Sequence, residues 1–287
     1  MTNKWLKVAL MVTAIATGTS IKIDAETVLY VPQDDRPVSL QYTVDTAREA
    51  GMTVLTPPQH LISGKTYQGQ ADQIMAWVEQ NAGRADVMVL STDTLIYGGL
   101  VDSRKHNIPL STLQNRLKRI EGLKARNKNV RIYGFGTVMR SPRASGGGTE
   151  PAYYAEYGPT IFQIAALQDK LDSGSLTQEE TQKLMSLQAS VPVEYLQDWF
   201  DRRQKNMKIN KELIDETRSG VFDYFALGHD DTSQLSQSAL EGRYLNKYSK
   251  DISVEKYGSF PGADQLGLLL MARSRTDVST EKPTFSV

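Results

Sequence analysis

Short apolar runs, rich in β-branched and aromatic residues, recur along this chain, and each is followed by a polar cluster and then by a stretch with helical spacing. Val28 to Pro32, Asp86 to Leu90, Val130 to Phe135 and Phe222 to Leu227 are such runs. Met52 to Leu55 is a shorter one that ends at Pro57-Pro58. A short continuous apolar run reads as a strand covered on both faces. Between these runs, Tyr42 to Ala50 reads as a helix stopped by Gly51. Ala71 to Gln80 carries Ile74, Trp77 and Val78 on one helix face, and Leu110 to Lys124 carries Leu113, Leu117, Ile120 and Leu123. Strands alternating with such helices require a parallel sheet with right-handed crossovers. The expected fold is α/β, a parallel sheet with flanking helices. A doubly wound, Rossmann-like arrangement is favoured over an incomplete (β/α)8 barrel, because the chain has no residues left for the missing strands.

Residues 1–25 read as a signal peptide. Lys4 and Lys7 supply the basic start, Val8 to Thr19 the apolar stretch, and Ile23-Asp24-Ala25 the cleavage end. An apolar stretch of about 12 residues is too short to span a bilayer comfortably. The expected location is secreted or cell-envelope, with no stable membrane span after cleavage. Residues 26–275 read as a single α/β domain with a helical insertion at about 146–220 that caps the cleft. Gly146-Gly147-Gly148 opens the insertion, and Glu179 to Ser190 and Val193 to Gly220 read as long exposed helices. Gln265 to Arg273 reads as the last helix, and residues 276–287 as a polar tail. The formal net charge is zero, which gives no reason to expect nucleic acid as a partner. Cysteine is absent, which excludes disulfides, thiolate metal sites and a cysteine nucleophile.

Ligands of parallel α/β folds sit beyond the carboxyl ends of the strands, so the residues after each run are the candidates for chemistry. After the first come Asp34, Asp35 and Arg36; after the third, Asp93 and then Tyr97; after the fourth, Arg140; after the fifth, His229, Asp230 and Asp231. Asp264 precedes the last helix. Only the second run ends without a charged residue. One Asp at a strand end is explained by turn formation or helix capping. Acids at four ends favour a functional cleft. Asp34, Asp35, Asp93, Asp230 and Asp231 are the catalytic candidates, since acid–base work needs two carboxylates in unlike surroundings. Arg36, Tyr97, Arg140, Tyr153, Tyr154, His229 and Asp264 are the candidates for substrate binding, the tyrosines by stacking on a sugar. The same acids with His229 are an alternative hard-oxygen set for a divalent cation. Zinc is disfavoured by the lack of paired-histidine spacing. Dinucleotide, P-loop and nucleophile-elbow motifs are absent.

At these positions the chain resembles a bacterial family catalogued as domain of unknown function 4127. The resemblance rests on Val31-Pro32-Gln33-Asp34-Asp35-Arg36-Pro37-Val38, on the run from Asp93 through Tyr97-Gly98-Gly99 to Arg104, and on Met139-Arg140-Ser141-Pro142. It continues in Glu150 to Gly158, Arg202-Arg203-Gln204-Lys205-Asn206, Asp230-Asp231 and Pro261-Gly262-Ala263-Asp264. It implies one recurring pattern of acids, arginines and tyrosines, but no established activity. Gln33, Ser39 and Gln265 depart from that pattern. Members look longer than this chain, which reads as a truncated one. The expectation is a secreted hydrolase that cleaves glycosidic bonds of a carbohydrate or cell-envelope polymer. It needs either no cofactor or a divalent cation. The alternatives are a metal-dependent hydrolase and a non-catalytic binder of a glycan or other small polar ligand.

Overall fold

A computed structural model describes residues 25–145, 147–231 and 233–277. The leader read at residues 1–25 lies outside them except for Ala25, as do Gly146 of the triple glycine and all but the first two residues of the polar tail.

Six parallel strands form one sheet: β1 (Thr27–Val31), β2 (Thr53–Leu55), β3 (Val87–Ser91), β4 (Arg131–Val138), β5 (Tyr224–His229) and β6 (Tyr257–Pro261), in the order β2-β1-β3-β4-β5-β6. In register, Leu29 of β1 lies beside Leu55 and Met88, Met88 beside Ile132, and Phe225 beside Gly134 and Tyr257. Strand order reverses between β1 and β3, which is where open sheets of this kind hold ligands. The expected class is therefore found, with β2 and β6 as the sheet's edges.

The central strands are largely apolar because helices cover both faces. Alternate side chains point in opposite directions. Leu29, Val31, Met88, Leu90, Ile132 and Phe225 pack against α2 (Ala71–Asn81), α5 (Leu110–Arg126) and α8 (Val193–Ser219). Val28, Tyr30, Val87, Val89 and Phe135 face α1 (Gln41–Glu49) and α10 (Leu266–Thr276). Each fully buried aliphatic side chain contributes about 1.5–3 kcal/mol, so this double core dominates stability.

After β3 the chain makes two short helices, α3 (Thr92–Tyr97) and α4 (Leu100–Lys105). Ser91 caps the first, and Gly98 at φ 114° ends it. A side chain at Gly99 would meet Ser63 Oγ at 1.8 Å, so only glycine lets the loop after β2 lie against this segment.

Between β4 and β5 run α6 (Tyr154–Asp172), α7 (Gln178–Ser190) and α8. Contrary to the expectation of exposed helices, α8 buries Trp199, Arg202, Arg203, Asn206, Ile209, Asn210, Leu213, Ile214 and Thr217, a stripe at helical spacing. Its charge-rich sequence hides this because four of the buried residues are Arg or Asn. Helix α9 (Gln237–Tyr248) leads to β6. At the carboxyl end of β6, Gly262 N donates to His229 O at 2.7 Å and turns the chain away.

Candidate functional site

Loops from the carboxyl ends of the strands enclose a cleft of about 240 Å³. Asp34 and Arg36 enter after β1, Leu100, Val101 and Arg104 after β3, and Arg140 after β4. Asp230 follows β5 and Asp264 follows β6. Lys65 joins them from the loop after β2, the end that looked uncharged in sequence. A larger groove of about 470 Å³ lies between α5 and α8 and holds Glu121, Glu212, Asp215 and Glu216. No strand end reaches that groove, so the smaller cleft is the candidate site.

Arg36 organises one wall. Its Nε donates to Asp34 at 2.7 Å, its main-chain N donates to the same carboxylate at 3.2 Å, and Nη2 donates to Asp264 at 2.7 Å. Burial opposes the guanidinium's charge, yet Asp264 and Asp34 together hold its pKa above the ordinary value. One guanidinium bridges both acids, so their bonded oxygens are at most about 8 Å apart.

A second ion pair in the lining has the more deeply buried arginine. Arg104 Nη2 donates to Asp230, with side-chain exposures of 5% and 16%. Burial pushes the Asp230 carboxyl above its usual range against the pull of Arg104 and Arg140. Burial likewise pulls Arg104 down, though a guanidinium stays protonated. Arg140 is also in the lining. Its Nε donates to Glu150 at 2.7 Å and its Nη2 to Thr149 at 2.7 Å.

These loops are gripped from behind by α8. Arg203, 1% exposed, donates to Glu241 twice, to Met139 O at 2.7 Å and to Arg140 O at 3.0 Å. Asn206 donates to Ser103 O at 2.8 Å and pairs with His106 at 2.7 Å. Arg202 donates to His106 O at 2.7 Å. Residues 103–106 and 139–140 are thus fixed to one helix.

Of the residues expected at the site, Asp34, Arg36, Arg140, Asp230 and Asp264 meet in the cleft. Asp93 lies fully buried outside its lining. It accepts from Thr137 Oγ1 at 2.7 Å and Gln33 Nε2 at 3.4 Å, and burial raises its pKa to about 6. Asp35 accepts from the Tyr67 hydroxyl. Asp231 accepts from Ser233 N at 2.9 Å and shares a separate pocket with His229, whose Nε2 meets Ser259 Oγ at 2.7 Å. Tyr97 stacks on His106 at 4.9 Å. Tyr153 donates to Asp198 at 2.6 Å, and Tyr154 to Pro142 O at 2.7 Å beside Trp199. The tyrosines therefore pack within the protein rather than offering faces to the cleft.

Sequence reasoning missed Arg104, Lys65 and the α8 anchors. Arg104 stands at the end of the quoted Asp93-to-Arg104 run, but two short helices separate it from β3. Lys65 is a single cation in a Ser/Gly/Thr loop with no periodic signal.

An open parallel sheet with an arginine-and-carboxylate cleft at its carboxyl edge defines an α/β protein with a polar cleft. Within that class, the chain belongs to the family described as Protein of unknown function (DUF4127), whose profile matches residues 28–287. Comparison with curated proteins gave no match.

Proposed function

We propose that this chain is an exported hydrolase that cleaves a glycosidic bond, with Asp230 as general acid and Asp34 as its carboxylate partner. The supporting observation is that two acids from different strands line one cleft in unlike surroundings. Asp230 is half-buried beside the buried Arg104, with its proton affinity raised. Asp34 is oriented by the guanidinium and main chain of Arg36. Such a division of environments lets one carboxyl donate a proton while the other stays a base. In a balanced step, Asp230 protonates the leaving oxygen as the anomeric C–O bond breaks. Water adds to the anomeric carbon and passes its proton to Asp34.

A cleft of about 240 Å³ lies below the usual range for larger ligands, about 300–1,000 Å³. It suits a single sugar unit, as a chain end or small glycoside. Among the described residues, no three His, Cys, Asp or Glu side chains are grouped to share a metal ion. Export rests on the leader at residues 1–25, and recovery of the chain from the cell fraction rather than the medium or envelope would contradict it.

The test is release of reducing ends from a panel of glycosides by the purified chain. Asp34→Asn and Asp230→Asn are each expected to lower the rate about 10²–10⁴-fold, and EDTA to leave it unchanged. Equal release by wild type and variants rejects the assignment. Saturable binding without turnover points instead to a glycan-binding protein.

A further inference from the structure

We infer that the unit bound in this cleft carries one negative charge, a carboxylate or a sulfate ester, received by Arg104, Arg140 and Lys65. The inference rests on the acid–base reading above and names the substrate class for it.

The first observation is Arg104. It is 4% exposed and lines the cleft, yet among the described residues only its Nη2 is bonded. Nε is sealed without a partner, and Nη1 has none among the described residues. A guanidinium has five N–H donors, and a buried donor left unmade is costly. A deeply buried arginine at the wall of a cleft, with its Nη1 donors unused, is suited to an incoming oxyanion. It is not a loose side chain, because Asn206 fixes the Ser103 carbonyl beside it.

The second observation is charge. Arg36, Lys65, Arg104 and Arg140 line the cleft against Asp34, Asp230 and Asp264. Glu150 balances Arg140 from outside the lining. Lys65 has no ion-pair partner among the described residues. When Asp230 holds the proton that its role requires, one positive charge remains uncompensated. That matches a singly charged group and not a dianionic phosphate ester.

The two observations are coupled. An oxyanion on the unused Nη1 donors of Arg104 places a second negative charge beside Asp230. That like charge leaves the Asp230 carboxyl with less reason to ionise, so binding the charged unit readies the acid.

The experiment is calorimetric titration of the full chain with glucuronate, galacturonate and glucose 6-sulfate. Glucose, galactose and glucose 6-phosphate serve as comparisons. These free sugars need no turnover, so the result is independent of hydrolysis. One of the singly charged sugars is expected to bind at least about 10-fold more tightly than its neutral counterpart, and which one does so separates carboxylate from sulfate. Lys65→Gln, at an exposed loop position, is expected to weaken that binding, and Arg104→Gln to abolish it. Equal affinity for charged and neutral sugars overturns the inference. So do tighter binding of glucose 6-phosphate, absence of binding by every probe, and indifference to Lys65→Gln. Uronate binding without cleavage of any glycoside keeps the anion site and removes the hydrolase. Cleavage of neutral glycosides with no preference for charge does the reverse.

Discussion

The two ends of helix α8 bury one continuous stripe with opposite chemistry. Its carboxyl-terminal part inserts Ile209, Leu213 and Ile214 into the core beneath the sheet. Its amino-terminal part presents Arg202, Arg203 and Asn206 to the carbonyls of residues 103, 106, 139 and 140. Apolar packing is non-directional and tolerates any neighbour of suitable volume. Hydrogen bonds to four carbonyls hold only in one geometry. One end of the helix stabilises the fold, and the other aims the loops that carry Arg104 and Arg140.

That contrast can be broken most forcefully at Arg203. Arg203→Met leaves Glu241 buried without its cation and is expected to cost about 3–5 kcal/mol in urea unfolding. Adding Glu241→Leu should recover a large part of the loss, since an apolar pair of similar volume replaces a buried ion pair well. A silent single variant would remove the anchoring role. Leu213→Ala, at the other end, is expected to cost about 2–5 kcal/mol by opening a cavity. Unlike Arg203→Met, it should leave ligand affinity at the cleft intact. Equal effects of the two on affinity would erase the distinction.

A third variant tests the charge under the cleft. The Asp93 carboxyl is neutral in the fold up to a pKa of about 6, above its unfolded value of 3.8. Its stabilising contribution is therefore complete below about pH 4 and is lost as pH rises through about 6. Asp93→Asn should raise stability at pH 8 by on the order of 3 kcal/mol at most and change little at pH 4. A pH-independent effect, read from melting temperatures, would contradict it. The smallest expected effect is Asn206→Ala, about 1–3 kcal/mol for the lost bonds to Ser103 and His106. It should also loosen Arg104.

Legibility in sequence followed burial. Strands β1, β3, β4 and β5 were readable because covering on both faces demands uninterrupted apolar residues. Strand β6 was not, since Gly258 and Ser259 interrupt it and its last two residues, Phe260 and Pro261, are exposed. Helices α3 and α4 were hidden by Gly98-Gly99, which serve a close approach of the loop after β2 and not a loop of their own. The acids at the strand ends were recognisable as a set. Which of them reach the cleft was not, because adjacent residues such as Asp34 and Asp35 diverge, one to Arg36 and the other to Tyr67. Lys65 and the α8 anchors depend on contacts distant in sequence, and no local spacing announces those.

The turn of the chain at Pro261-Gly262 bears on how molecules of this protein meet. A border strand with free amides invites a second chain to extend the sheet. Proline has no amide to offer, and Gly262 has already committed its own to His229. At the other end of β6 the Tyr257 amide is also committed, to Ser253 O at 3.1 Å. Both ends of this border thus have their amides spent or missing, which discourages sheet-to-sheet association between molecules.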